Sequence, residues 1–147
     1  MATKTIKRTK KQHERIVNND PKTFDDFPVG TVSHQGDLIL VRIAELPKSA
    51  KARLNRKLAD GDTQGSRHIL DAHGEVFNCE PSEVVAAIAA ARKGLKIDAR
   101  YIGPVFTTPA TLTHPEHGWQ SWTEDGVIAC VIQRNIDSEQ REARVMD

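Results

Sequence analysis

Gly36-Asp37-Leu38-Ile39-Leu40-Val41-Arg42-Ile43-Ala44-Glu45-Leu46 is the stretch that decides the fold. A Gly-Asp turn pair opens it, and Leu38 to Ile43 follow with Arg42 as the only polar interruption. So short a run of branched apolar residues, closed by Pro47, reads as a strand buried on both faces rather than a helix. It is the expected central strand of one small β-rich domain.

Working outward, a second apolar run, Val127-Ile128-Ala129-Cys130-Val131-Ile132, is the expected neighbour of the first. Thr123-Glu124-Asp125-Gly126 before it reads as a hairpin turn from a strand at Trp119–Trp122. Strands are also expected at 97–102, 105–108 and 110–113, broken by Gly103-Pro104 and Pro109 at edges or a corner. Arg67–Asp71 and Glu75–Cys79 flank Ala72-His73-Gly74 and read as a hairpin. Between Ser49 and Asp60, Leu54 and Leu58 stand i, i+4 apart, which fits a brief helix over 50–59 nearly as well as a ragged strand. The clearest helix spans about 82–93, with Ser82 as N-cap, Glu83 at its positive end and Gly94 at C′.

These elements give a mainly β (α+β) domain: a small antiparallel barrel or sandwich with one flanking helix. Three segments are expected: a flexible basic arm over 1–29, a β-rich domain over 30–136 and a charged tail over 137–147. A short helix over 8–18 fits the arm, stopped by Asn18-Asn19-Asp20-Pro21, and Phe24 and Phe27 would pin the arm to the body.

At 147 residues the chain buries an adequate core without staples. No run approaches the roughly 18 apolar residues of a membrane helix, and the basic N-terminus lacks the apolar segment of a secretory signal. Cys79 and Cys130 sit in apolar segments, which favours reduced thiols and a cytoplasmic or virion-associated location. The net charge of +1 hides a division. Residues 1–15 carry Lys4, Lys7, Arg8, Lys10, Lys11 and Arg15 against Glu14 alone, a net of +5; the fifteen cations and nineteen acids that remain give −4.

Gln35-Gly36-Asp37, Gly65-Ser66-Arg67-His68, Leu112-Thr113-His114-Pro115-Glu116-His117 and Gln133-Arg134 together resemble a pattern of small uncharacterised bacterial and phage proteins. In it a strand opens with Gln-Gly-Asp, a loop ends in Gly-His-x-His, and His-x-Glu-His precedes a strand ending Gln-Arg-Glu. Ser66 and Asn135 depart from it. The resemblance covers about 35–136 and implies a single β-rich domain, with no activity attached.

Two functional expectations follow. In the first, the chain is a non-enzymatic accessory protein of a larger bacterial or phage assembly. Its arm cations would meet nucleic acid or an acidic protein surface, with no cofactor. No aromatic residue interleaves them, so binding through the arm would ignore base sequence. Trp119 and Trp122, three apart on a strand, face opposite ways. Packing of both in the core, one from each side of a bent hairpin, is the commoner outcome; an exposed one would be a contact residue. In the second, His68, His114 and His117, with His73 as an alternative ligand, hold a divalent transition metal in a cupin-like barrel. The bland reading is a polar turn with solvated histidines. Asp60, Asp62, Gln64, Gly65 and Asp71 partly match a calcium loop, but Arg67 falls where an apolar residue belongs and Asp71 where a glutamate does. No nucleophile elbow or phosphate loop is present.

Overall fold

The computed structural model describes residues 22–60, 67–71, 73–115 and 118–132. The arm cations, the helix expected over 8–18, most of the Asp/Gly loop, Glu116, His117, Gln133-Arg134 and the tail lie outside the described residues.

Among the described residues, nine strands and one α-helix follow in order: β1 (Lys22–Phe24), β2 (Val32–Gln35), β3 (Leu38–Ile43), β4 (Lys51–Arg53), β5 (Lys57–Asp60), β6 (Arg67–Leu70), β7 (Val76–Asn78), α1 (Pro81–Ala91), β8 (Ile102–His114) and β9 (Gly118–Ile132). They form one sheet in the order β2-β3-β9-β8-β6-β5, with β7 bridging β4 and β8 and β1 beside β9. Every pairing is antiparallel except β1 with β9. The result is a curled half-barrel with a single helix, as the sequence led us to expect.

β3 is buried on both faces but is not the central strand: it lies second in the order, between β2 and β9, and the middle of the sheet is β9 and β8. Leu38 and Leu40 join a core with Phe106, Leu112, Ile128 and Cys130. Val41 and Ile43 turn the other way, into a second core with Val131, Val105 and the α1 residues Val84 and Ile88. Arg42, the polar interruption, lies over the Phe27 ring. The second apolar run pairs directly with the first, from Leu38 opposite Ile132 to Ile43 opposite Val127.

Several local expectations are corrected. Residues 50–59 contribute β4 and β5 rather than a helix; Leu58 is buried while Leu54 stands 97% exposed, so there is no shared apolar stripe to pack. β6 and β7 do not pair with each other; both lie along β8. The Arg56 guanidinium holds the connection between them open, donating to the carbonyls of Leu70, Asp71, His73 and Gly74. The expected breaks at Gly103-Pro104 and Pro109 become register shifts within one 13-residue strand, β8. Residues 97–101 stay outside it, with Ala99–Tyr101 forming a 3-10 turn. Thr123–Gly126 is likewise part of β9, held as Thr108 Oγ1 donates to the Glu124 carbonyl. The true β8–β9 hairpin closes between His114 and Gly118, where Gly118 takes the positive φ of 72° that a turn needs.

α1 starts one residue earlier than expected, with Pro81 at N1 and Glu80 in the cap position, so Ser82 is not the cap. Ser49 ties this end down from outside: its Oγ donates to Glu83 and accepts from the Glu80 amide. The helix ends at Ala91 with Arg92 as C-cap, which places Gly94 one residue beyond C′. Residues 22–29, which the sequence assigned to the arm, supply β1 and a buried Phe27. Phe24 stacks on Trp122 with centroids 5.6 Å apart, the pinning role expected of it. Among the described residues no helix is long and apolar enough to cross a membrane.

Candidate functional site

Three separated segments converge at one end of the sheet: the end of β2 with the β2–β3 turn, β6, and the end of β8. The turn is tight because Gly36 adopts φ 62°, closing the pairing of Gln35 with Leu38. Strand alternation aims His68 and Leu70 inward and Arg67 and Ile69 outward. The same alternation on β8 sends Leu112 and His114 inward.

Gln35 organises the cluster. It is 1% exposed, and its Nε2 donates to the carbonyls of Leu112 at 2.9 Å and Gly118 at 3.1 Å. Only the NH2 end of the amide can satisfy two carbonyls, so Oε1 must face His68 Nδ1, 2.8 Å away. An amide oxygen accepts only, and Nδ1 therefore carries a hydrogen. The other ring nitrogen of this fully buried histidine, Nε2, is turned towards Asp37, with Oδ1 at 3.5 Å. The His114 ring packs against His68 with centroids 4.4 Å apart and planes inclined at 42°. Gln120 braces the cluster, accepting from Ser33 Oγ and donating through Nε2 to the His34 carbonyl.

The 3.5 Å between His68 Nε2 and Asp37 Oδ1 is longer than an ordinary N–H···O hydrogen bond, about 2.7–3.2 Å. It matches the spacing of two donors on one tetrahedral ion, about 3.4 Å for bonds near 2.1 Å. Two imidazoles and a carboxylate are also donors of the kind used by open zinc and non-haem iron sites. Among the described residues, no three His, Cys, Asp or Glu side chains stand together as a ready-made cage. The described residues offer a two-donor nucleus, His68 with Asp37, and an adjoining imidazole in His114.

Of the histidines singled out from sequence, His68 and His114 are thus brought together, and His117 lies outside the described residues. His73 does not join them: it is exposed and contacts Asp71. Asp71 in turn accepts from the amides of His73 and Thr111. Burial works to raise its carboxyl, and the bond to the His73 ring first, then these amide bonds, outweigh that and hold it below its ordinary value. Trp119 is 41% exposed on the opposite face of the sheet while Trp122 is buried, so the two do not both pack in the core: strand alternation sends residues three apart to opposite faces. Cys79 and Cys130 are free thiols. Burial pushes the fully enclosed Cys130 thiol far up, so it is no nucleophile. Gln35, Asp37 and Gln120 were not singled out as site residues. The available signal was the Gln-Gly-Asp triplet, which puts a long amide immediately before a turn, in register with inward-facing residues.

A family model described as a domain of unknown function, DUF8820, matches residues 34–133. No curated protein and no solved structure matches the chain.

Proposed function

We propose, for this chain that belongs to the DUF8820 family, that the turn end of the half-barrel binds a divalent transition metal through His68 Nε2 and the Asp37 carboxylate, with His114 alongside. The observation that carries the reading is the Gln35 clamp. By taking the Nδ1 hydrogen of His68 it fixes the tautomer and aims Nε2 at Asp37, the outer-sphere role that a hydrogen-bond acceptor plays for a metal-ligating histidine. The matched segment contains Gln35, Asp37, His68 and His114 and stops short of the basic arm. His117, three residues beyond His114 in the chain, is the ligand expected from sequence to complete the set. A metal bound there supplies Lewis acidity. The chain's own residues orient the imidazoles and exclude water, since both rings are almost completely buried.

Cobalt(II) titration of untagged protein, followed by visible absorption, tests this. Saturable ligand-field bands are expected, lost in His68→Gln and weakened in Asp37→Asn and His114→Gln. A His68→Gln variant that binds cobalt as tightly as the wild type overturns the assignment. The other expectation, an accessory role in a larger bacterial or phage assembly, draws on a different part of the molecule.

A further inference from the structure

Between Leu46 and Ala59 the chain carries five cations, Lys48, Lys51, Arg53, Arg56 and Lys57, and no carboxylate or aromatic side chain. The fold makes a corner of this stretch: β4 runs out through Lys51–Arg53, Leu54 and Asn55 form the tip, and β5 leaves from Lys57. Two guanidinium groups brace it. Arg53 donates to the carbonyls of Asn55 and Lys57 and to Asn78 Oδ1. Arg56 donates to the carbonyls of Leu70, Asp71, His73 and Gly74. Every one of these acceptors is neutral, so the bonds fix the shape of the corner without cancelling its charge. Among the described residues no carboxylate forms an ion pair with Lys51, Arg53 or Arg56.

The fold leaves two features of the corner unused. Among the described strands β4 pairs with β7 alone, so its other edge presents backbone amides and carbonyls. At the tip, Leu54 stands 97% exposed. Beside it lies a depression of about 190 Å³, lined by Ala52, Arg53, Leu54, Arg56, Glu75 and Val76, two guanidinium groups against one carboxylate. Alternation puts Lys51 and Arg53 on one face of β4, where a strand laid along the free edge would meet both. A second copy of this edge is disfavoured there, because it would bring the same cations against each other. Nucleic acid fits poorly as well: the corner has no ring on which a base could stack, and phosphates make no use of a strand edge or of Leu54. An extended peptide uses all three features, main chain against the edge, carboxylates against the cations and an apolar side chain against Leu54.

We propose that the free edge of β4 receives an extended acidic segment of a partner protein as an added strand. Its carboxylates, at alternate positions, face Lys51 and Arg53, and an apolar residue covers Leu54. Three residues of edge make a small contact, so the complex is weak and exchanges quickly. The surface shares no residue with the proposed metal site, and the two readings stand or fall separately.

Fluorescence anisotropy of the full chain with a labelled peptide of alternating glutamate and valine, ending in leucine, tests the proposal. Saturable binding is expected, weakening as salt is raised. Lys51→Glu is expected to weaken it about tenfold, and Leu54→Ser about threefold. Both side chains are exposed, so the urea midpoints of these variants should match the wild type. The same peptide N-methylated at every amide keeps its charge but has no N–H to give a strand edge, and should lose most of its affinity. Four results overturn the proposal. They are no saturable binding up to about 1 mM peptide, Lys51→Glu binding as tightly as the wild type, the N-methylated peptide binding as tightly as the unmodified one, or an oligothymidylate of equal charge binding more tightly than the peptide. The last would give the corner to a nucleic acid instead.

Discussion

Replacing Gln35 by leucine keeps the volume of the side chain and removes all of its polar contacts. Three hydrogen bonds disappear, to Leu112 O, Gly118 O and His68 Nδ1. Each contributes about 1 kcal/mol net. The larger cost falls on His68, whose Nδ1 hydrogen is left facing a methyl group inside a site with no solvent exposure. A stranded buried donor costs a further 1–3 kcal/mol or so, and the added apolar contact of leucine returns about 1 kcal/mol. The expected destabilisation is about 3–5 kcal/mol, a large share of the roughly 5–15 kcal/mol that holds a domain folded. In urea, with a slope of about 2 kcal/mol/M, the midpoint falls by about 2 M. Gln35→Glu is the informative companion: it retains an acceptor for His68 Nδ1 but turns a carboxylate towards the Leu112 and Gly118 carbonyls, so it too is expected to unfold early. A Gln35→Leu midpoint within about 0.5 M of the wild type would show that the amide does not hold the histidine in place.

Gly74→Ala should destabilise the domain by more than about 2 kcal/mol: Gly74 has φ +74°, and a Cβ there would meet the Thr107 carbonyl oxygen at 2.3 Å, which thermal melts can check. Cys130, completely enclosed, should resist iodoacetamide in the native protein while the half-buried Cys79 labels slowly, as peptide mass spectrometry reads directly. Burial first, and the Lys22 ammonium second, hold the His34 imidazole below its ordinary value of 6.5. The unfolded chain therefore takes up a proton more readily, so His34 favours unfolding as pH falls through about 6.5, and the effect levels off below the folded-state value. In His34→Asn the decline of the urea midpoint between about pH 7 and pH 5 should be shallower.

What the sequence revealed follows from which interactions are local. The continuous apolar runs at 38–43 and 127–132 announce strands buried on both faces, and their pairing follows because each needs covering. The helix is legible from alanine content and Pro81, although its true cap is Glu80 and its tether is Ser49, 34 residues from Glu83. Turn chemistry misled at Thr123–Gly126. An Asp-Gly pair normally reverses a strand, but here β8 runs alongside far enough to keep β9 extended, and the reversal falls at Gly118. Proline likewise failed to end β8, because the register shifts at both sites absorb the missing donors. At the site, His68 and His114 could be singled out as chemistry-bearing side chains, but their approach to within 4.4 Å depends on β6 pairing with β8, which no local pattern encodes. The role of Gln35 is less visible still, since its three partners come from segments 33 to 83 residues away.

Elemental analysis of untagged protein, wild type beside His68→Gln, reaches the metal site most directly. After exposure to excess zinc and gel filtration, the wild type should retain roughly one equivalent of metal and the variant less than about a tenth. A folded wild-type protein holding less than about a tenth of an equivalent of any transition metal would contradict the account.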